Sequence, residues 1–107
     1  MSVANAQRAS RAPAEVFPPG DFIREELEAR RWTQGDLAAV LGRPVSAINE
    51  IINGKKRITA ETAKALAAAF GTSAQVWMNL ENTYRLAKAA PPDPAIARRA
   101  KQLEAAR

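Results

Sequence analysis

The sequence predicts an all-α protein, and three observations carry that reading. Apolar residues recur at helical spacing, as in Ala63, Leu66, Ala67 and Phe70 (i, i+3, i+4, i+7). No stretch alternates apolar and polar residues as a half-buried strand does. Capping residues and glycines punctuate the periodic segments, as in Thr33 before Gln34 and Gly42 after Leu41. The length of 107 residues fits one domain. Residues 1–18 mix Ala, Ser, Arg and Pro without a period and read as a flexible N-terminal arm. Residues 19–90 form a five-helix bundle, and residues 91–107 a short basic C-terminal helix.

The Pro18-Pro19-Gly20 punctuation ends the arm, and a first helix follows from Asp21 to Arg30. Its carboxylates lie early and its arginines late, which suits the helix dipole. Ile23 and Leu27 share a face, and Glu26 with Arg30 makes an i,i+4 pair. Glu25, Glu26 and Glu28 read as a solvated, salt-bridged face rather than as paired catalytic carboxylates. Thr33 caps a second helix, Gln34 to Leu41, with Leu37, Ala38 and Leu41 turned inward. Gly42 ends it in the left-handed conformation, and Pro44 opens a third helix that runs to Asn53. At about 100° per residue, Val45, Ile48, Ile51 and Ile52 fill one arc of that helix. Ser46, Asn49, Glu50 and Asn53 fill the opposite arc, with Ala47 near its edge.

Thr59 caps a fourth helix, closed by Gly71. Thr72 and Gln75 have the spacing of a capping box that starts a fifth helix, Ser73 to about Ala89. Val76, Trp77, Leu80, Tyr84 and Leu86 make it aromatic-rich. Pro91-Pro92 breaks the chain, and Asp93-Pro94 restarts it.

Composition removes whole classes of function. The chain has no cysteine and no histidine. It therefore lacks thiolate chemistry, the commonest metal ligand and the commonest general base, and no enzyme activity, metal or cofactor is expected. No segment approaches the ~20 apolar residues of a membrane span, and residues 1–18 lack the apolar middle of a signal peptide. A soluble cytoplasmic protein that does not engage a membrane is expected. The net charge is +5. It is unevenly placed: residues 19–42 carry a net −2 and residues 43–64 a net +3. A positive centre of this kind is the electrostatic footprint of a polyanion-binding surface.

Two short helices joined by a tight glycine-containing turn suit a helix-turn-helix. Ala38 meets a steric need there, since a larger side chain would push the third helix off the second. In this geometry the first helix of the pair crosses the DNA backbone while the second turns its polar face to base edges in the major groove. Ser46 and Asn49 both donate and accept, and Asn suits adenine. Lys55, Lys56 and Arg57 leave the helix end where phosphates would lie, and Gln34 is a further phosphate contact. Glu50 is repelled by phosphate but can accept from a cytosine amino group.

The strings Pro19-Gly20-Asp21-Phe22-Ile23, Trp32-Thr33-Gln34, Leu37-Ala38, Leu41-Gly42-Arg43-Pro44-Val45, Ile51-Ile52-Asn53-Gly54-Lys55-Lys56 and Ile58-Thr59 resemble the Cro/C1-type (XRE) helix-turn-helix family, whose fold is lambda repressor-like. Gly71-Thr72-Ser73 leading to Trp77-Met78-Asn79-Leu80-Glu81 and Tyr84 narrows the resemblance to the HigA/VapI addiction-module antidotes. The resemblance covers about residues 18–90. It implies a homodimer that binds a palindromic operator in double-stranded DNA, represses its own operon and binds a RelE-like (HigB-like) ribonuclease toxin. A stand-alone XRE-type repressor without a toxin partner is the alternative. A third reading is an interaction module whose arm or C-terminal helix folds on a partner. The base-reading set is then Val45, Ser46, Ala47, Asn49 and Glu50. The phosphate set is Thr33, Gln34, Arg43, Asn53, Lys55, Lys56 and Arg57. Trp77, Leu80 and Tyr84 are candidates for the dimer interface, though Trp77 and Tyr84 could equally finish the core of the single chain. Three departures stand out: Arg31 where the family has glycine, Arg43-Pro44 in the turn, and Glu81 with Arg85 in place of glutamine and aspartate.

Overall fold

Each capped, periodic segment of the sequence is a helix in the computed structural model, which describes residues 16–107. Among these residues there are six α-helices and no strand. They are α1 (Pro19–Arg30), α2 (Gln34–Leu41), α3 (Val45–Ile52), α4 (Ala60–Phe70), α5 (Ala74–Lys88) and α6 (Pro94–Ala105). Residues 1–15 of the expected arm lie outside the described residues. Phe17, within the expected arm, packs against the core.

Local chemistry sets the helix ends. Thr33, Thr59 and Ser73 each accept a hydrogen bond from the backbone N–H three residues on. In α2 the cap is reciprocal, because the Asp36 carboxylate accepts from the Thr33 N–H at 2.8 Å. Ser73, not Thr72, is the N-cap of α5; the Thr72 hydroxyl instead accepts from the Trp77 indole N–H at 2.8 Å. Pro44 is likewise the N-cap of α3 rather than its first helical residue. Gly42 and Gly71 close α2 and α4 at φ 66° and 70°, a conformation open to glycine without steric penalty.

The core lies where α1, α2, α3, α4 and α5 converge. Ile23, Leu37, Ile48, Ile52, Leu66 and Trp77 are its largest fully buried side chains. Phe70 stacks between Trp32 and Trp77 at centroid distances of 6.0 and 5.8 Å. Two close approaches then position α3. Ala38 is buried, as its steric role requires. Gly20 lies so near the end of α3 that a Cβ built on it would sit 1.8 Å from the Ile52 carbonyl oxygen. The glycine of Pro18-Pro19-Gly20 is therefore inside the first helix as a packing residue, and α1 starts two residues before the expected Asp21.

The acidic face of α1 is not wholly solvated. Glu26 is buried and paired with Arg30, whose guanidinium also donates to the Phe70 carbonyl at 2.8 Å and lies over the Phe70 ring. This pair joins the end of α1 to the end of α4, where a cation complements the helix dipole. By contrast α6 buries none of its residues.

Candidate nucleic-acid interface

The second helix of the turn carries the candidate interface. Ile48, Ile51 and Ile52 anchor α3 in the core, and Ser46 and Asn49 are exposed on its other side. Ala47 and Glu50 are half-buried at the margins. Val45, expected in the apolar arc, is 51% exposed and stands with the outward group. It is the first residue of the helix, next to the N-cap Pro44.

A continuous chain of hydrogen bonds crosses this face. The Asn49 amide donates to the Gln34 Oε1 at 3.2 Å, which links α3 to the start of α2. The Asn53 amide donates to the Asn49 Oδ1 at 2.9 Å. The Arg24 guanidinium, from α1, donates to the Asn53 Oδ1 at 2.9 Å and to the Asp21 Oδ1 at 3.1 Å. Gln34, Asn49 and Asn53 are thus brought together, with one further member. Arg24 lies 29 residues before Asn53, and in sequence it is one more charge on an acidic helix.

Beyond Asn53, Gly54 takes φ 77° and the chain turns back. The Lys55 and Lys56 N–H groups both donate to the Glu50 carbonyl, at 2.9 and 3.2 Å, so the basic triplet is tied to the end of α3. Lys55, Lys56 and Arg57 are exposed. The Lys56 ammonium lies 3.7 Å from the Glu50 carboxylate, which offsets the negative charge that counts against an anion-binding face.

This loop is also held from behind, which the sequence reading missed. Ile58 is buried, and its N–H donates to the buried Glu81 carboxylate of α5 at 2.7 Å. The other Glu81 oxygen accepts from Arg85 Nε at 2.6 Å, and Arg85 in turn donates to the Gly54 carbonyl at 3.2 Å. The departure at Glu81 and Arg85 is therefore a matched pair that grips both ends of the basic loop. Only the i,i+4 spacing of opposite charges hinted at it.

Two further members of the phosphate set also have partners within the protein. The Arg43 guanidinium donates to the Thr62 hydroxyl at 2.8 Å and lies 3.9 Å from Glu61, drawing it against α4. The Thr33 hydroxyl caps α2 by accepting from the Asp36 N–H at 3.0 Å. Of the three residues expected at a dimer contact, Trp77 is only 1% exposed and completes the protomer's own core. Leu80 and Tyr84 are half-buried on α5. Among the described residues, no cluster of acidic side chains could hold a metal ion, and no helix is long and apolar enough to cross a membrane.

A short capped helix, a glycine turn and a second helix anchored by isoleucines, with amides outward and cations at its end, define a helix-turn-helix protein. The profile of the helix-turn-helix family HTH_3 matches residues 23–77, and the chain belongs to that family, of the Cro/C1 (XRE) kind. The HTH-type transcriptional regulator YddM of Escherichia coli K12, itself uncharacterised, is 34% identical over 71 residues, covering 66% of this chain and 76% of that protein. Virulence-associated protein I of Dichelobacter nodosus is 41% identical over 69 residues, covering 64% of each. Among solved structures, an addiction module antidote protein of the HigA family from Coxiella burnetii matches with a TM-score of 0.64 at 32% identity, covering 82% of this chain and 90% of that one. The Pseudomonas aeruginosa antitoxin HigA, solved with the higBA promoter, matches with a TM-score of 0.65 at 34% identity, covering 84% and 92%.

Proposed function

We propose that this protein is the antitoxin of a type II toxin–antitoxin module: a homodimer that binds a palindromic operator, represses its own operon and captures a RelE-like ribonuclease toxin. The observation that carries the DNA half is the amide-bearing face of α3 with Lys55, Lys56 and Arg57 at its end. Base edges in the major groove are met by Val45, Ser46, Ala47, Asn49 and Glu50. Phosphates are met by Gln34, Asn53 and the basic triplet, with Thr33 and Arg43 shaping the turn beside them. One recognition helix covers only a few base pairs, so a site of useful length needs two copies on half-sites about one helical turn apart. Leu80 and Tyr84 offer the α5 surface for that pairing, with Trp77 supporting them from inside.

The toxin half rests on the likeness to the HigA proteins of Coxiella burnetii and Pseudomonas aeruginosa. It is tested by co-expressing the chain with the small basic reading frame expected beside it. Co-purification of the two products, and relief of growth arrest by this chain, is the expected result. A second reading is a stand-alone repressor, which the likeness to YddM, a transcriptional regulator by name, supports as far as DNA binding. A chain that shifts its promoter DNA but has no neighbouring toxin frame would establish that reading instead.

A further inference from the structure

The hydrogen-bond chain across α3 has a direction, and one residue sets it. A primary amide can turn either way round, offering its oxygen or its nitrogen to a neighbour, whereas a guanidinium has five N–H donors and no acceptor. Arg24 therefore dictates the rest. Its donor at 2.9 Å turns the Asn53 oxygen toward itself and leaves the Asn53 nitrogen to face α3. That nitrogen donates to the Asn49 oxygen at 2.9 Å, and the Asn49 nitrogen donates to the Gln34 oxygen at 3.2 Å. Every bond in the series runs donor to acceptor from Arg24 outward, and Asp21 holds Arg24 in place at 3.1 Å.

Hydrogen-bond capacity then says what the face presents. Asn49 has used one N–H and one lone pair on its neighbours, so one N–H and one lone pair remain. That complement matches adenine, whose major-groove edge offers the N7 acceptor and the N6 donor. Gln34, whose oxygen is turned to Asn49, keeps both N–H groups of its amide as donors, the polarity a phosphate requires.

We infer that Arg24 is a specificity-determining positioning residue: through Asn53 it fixes the orientation of the Asn49 amide so that each half-site is read at an adenine, while Gln34 is left as a phosphate donor. The inference rests on the DNA-binding reading above. It places a determinant of base choice in α1, outside the helix-turn-helix pair. The amides are exposed in the free protein, where water competes with them. Once DNA excludes that water, the same bonds strengthen.

The test uses the full chain in three forms: wild type, Arg24→Leu and Arg24→Lys. In the free protein, the side-chain amide signals of Asn49 and Asn53 are followed by ¹⁵N NMR. With DNA, affinities are measured for the operator and for variants with each base pair changed in turn. Arg24→Leu should shift both amide signals and lower the preference for the adenine pair by about tenfold, the share one bidentate contact can supply. Preferences at other positions should hold, and Arg24→Lys, also a pure donor, should restore the adenine preference. Amide signals that do not differ between wild type and Arg24→Leu would overturn the relay. So would a loss of affinity equal for every sequence with a salt slope reduced by about 1, the signature of a plain phosphate contact. Failure of the wild type to bind DNA at all would strike the functional reading while the NMR arm still decides whether the relay exists.

Discussion

Arg31 holds φ 59° and ψ 38°, and among the described residues it alone has positive φ without being glycine. Its N–H closes α1 on the Glu28 carbonyl at 3.1 Å, so the left-handed turn is needed to aim the chain at Trp32 and α2. A side chain in that region costs about 1–2 kcal/mol relative to glycine. Arg31→Gly is expected to stabilise the protein by about 1 kcal/mol, read as a rise of several degrees in melting temperature. Asn49 is the matching residue for function. Asn49→Ala should weaken discrimination at one base pair per half-site by about 1–3 kcal/mol, measured on single-pair operator variants. Both positions were legible in the sequence, Arg31 because it replaces an expected glycine and Asn49 because it falls opposite Ile48, Ile51 and Ile52. Glu26 was not legible. Nothing in its i,i+4 spacing to Arg30 distinguishes a solvated pair from one buried against Phe70, since that depends on a residue 40 positions away.

At the scale of elements, α3 is held by what lies around it. α1 crosses it at Gly20, where added volume meets backbone rather than a movable side chain. Gly20→Ala is therefore expected to destabilise by about 3 kcal/mol, at the upper end of overpacking effects, in a denaturant titration. α5 grips the loop after α3 through Glu81 and Arg85. Glu81→Ala would leave the Ile58 N–H and the Arg85 guanidinium without their carboxylate, and a loss of about 3 kcal/mol is expected. Operator affinity should fall too, because the Lys55–Arg57 loop loses its anchor. Helix positions could be read almost residue by residue, since caps, glycines and periodicity are local signals. The interlocks could not: Gly20 with Ile52, Glu81 with Ile58 and Arg24 with Asn53 each join residues 23 or more apart. For the same reason Pro18-Pro19-Gly20 reads in sequence as a simple boundary, and the spacing of Trp77 leaves core and interface both open.

At the scale of the whole molecule, α6 stands apart from the core and buries none of its residues. Deleting residues 94–107 should change stability by less than about 0.5 kcal/mol, the range of surface changes that remove no packed group. Charge acts at this scale as well. The net +5 and the basic loop predict a steep salt response. A dimer making about 6–8 phosphate contacts should lose roughly 10³-fold or more in affinity between about 50 and 200 mM salt. If two copies of α3 read successive major grooves of the protein's own promoter, a footprint on that DNA will show it. The expected result is protection of a palindrome whose half-sites are centred about 10–10.5 base pairs, one helical turn, or a multiple of that apart. Absence of protection at low salt, or protection of one unpaired site by a monomer, would contradict it.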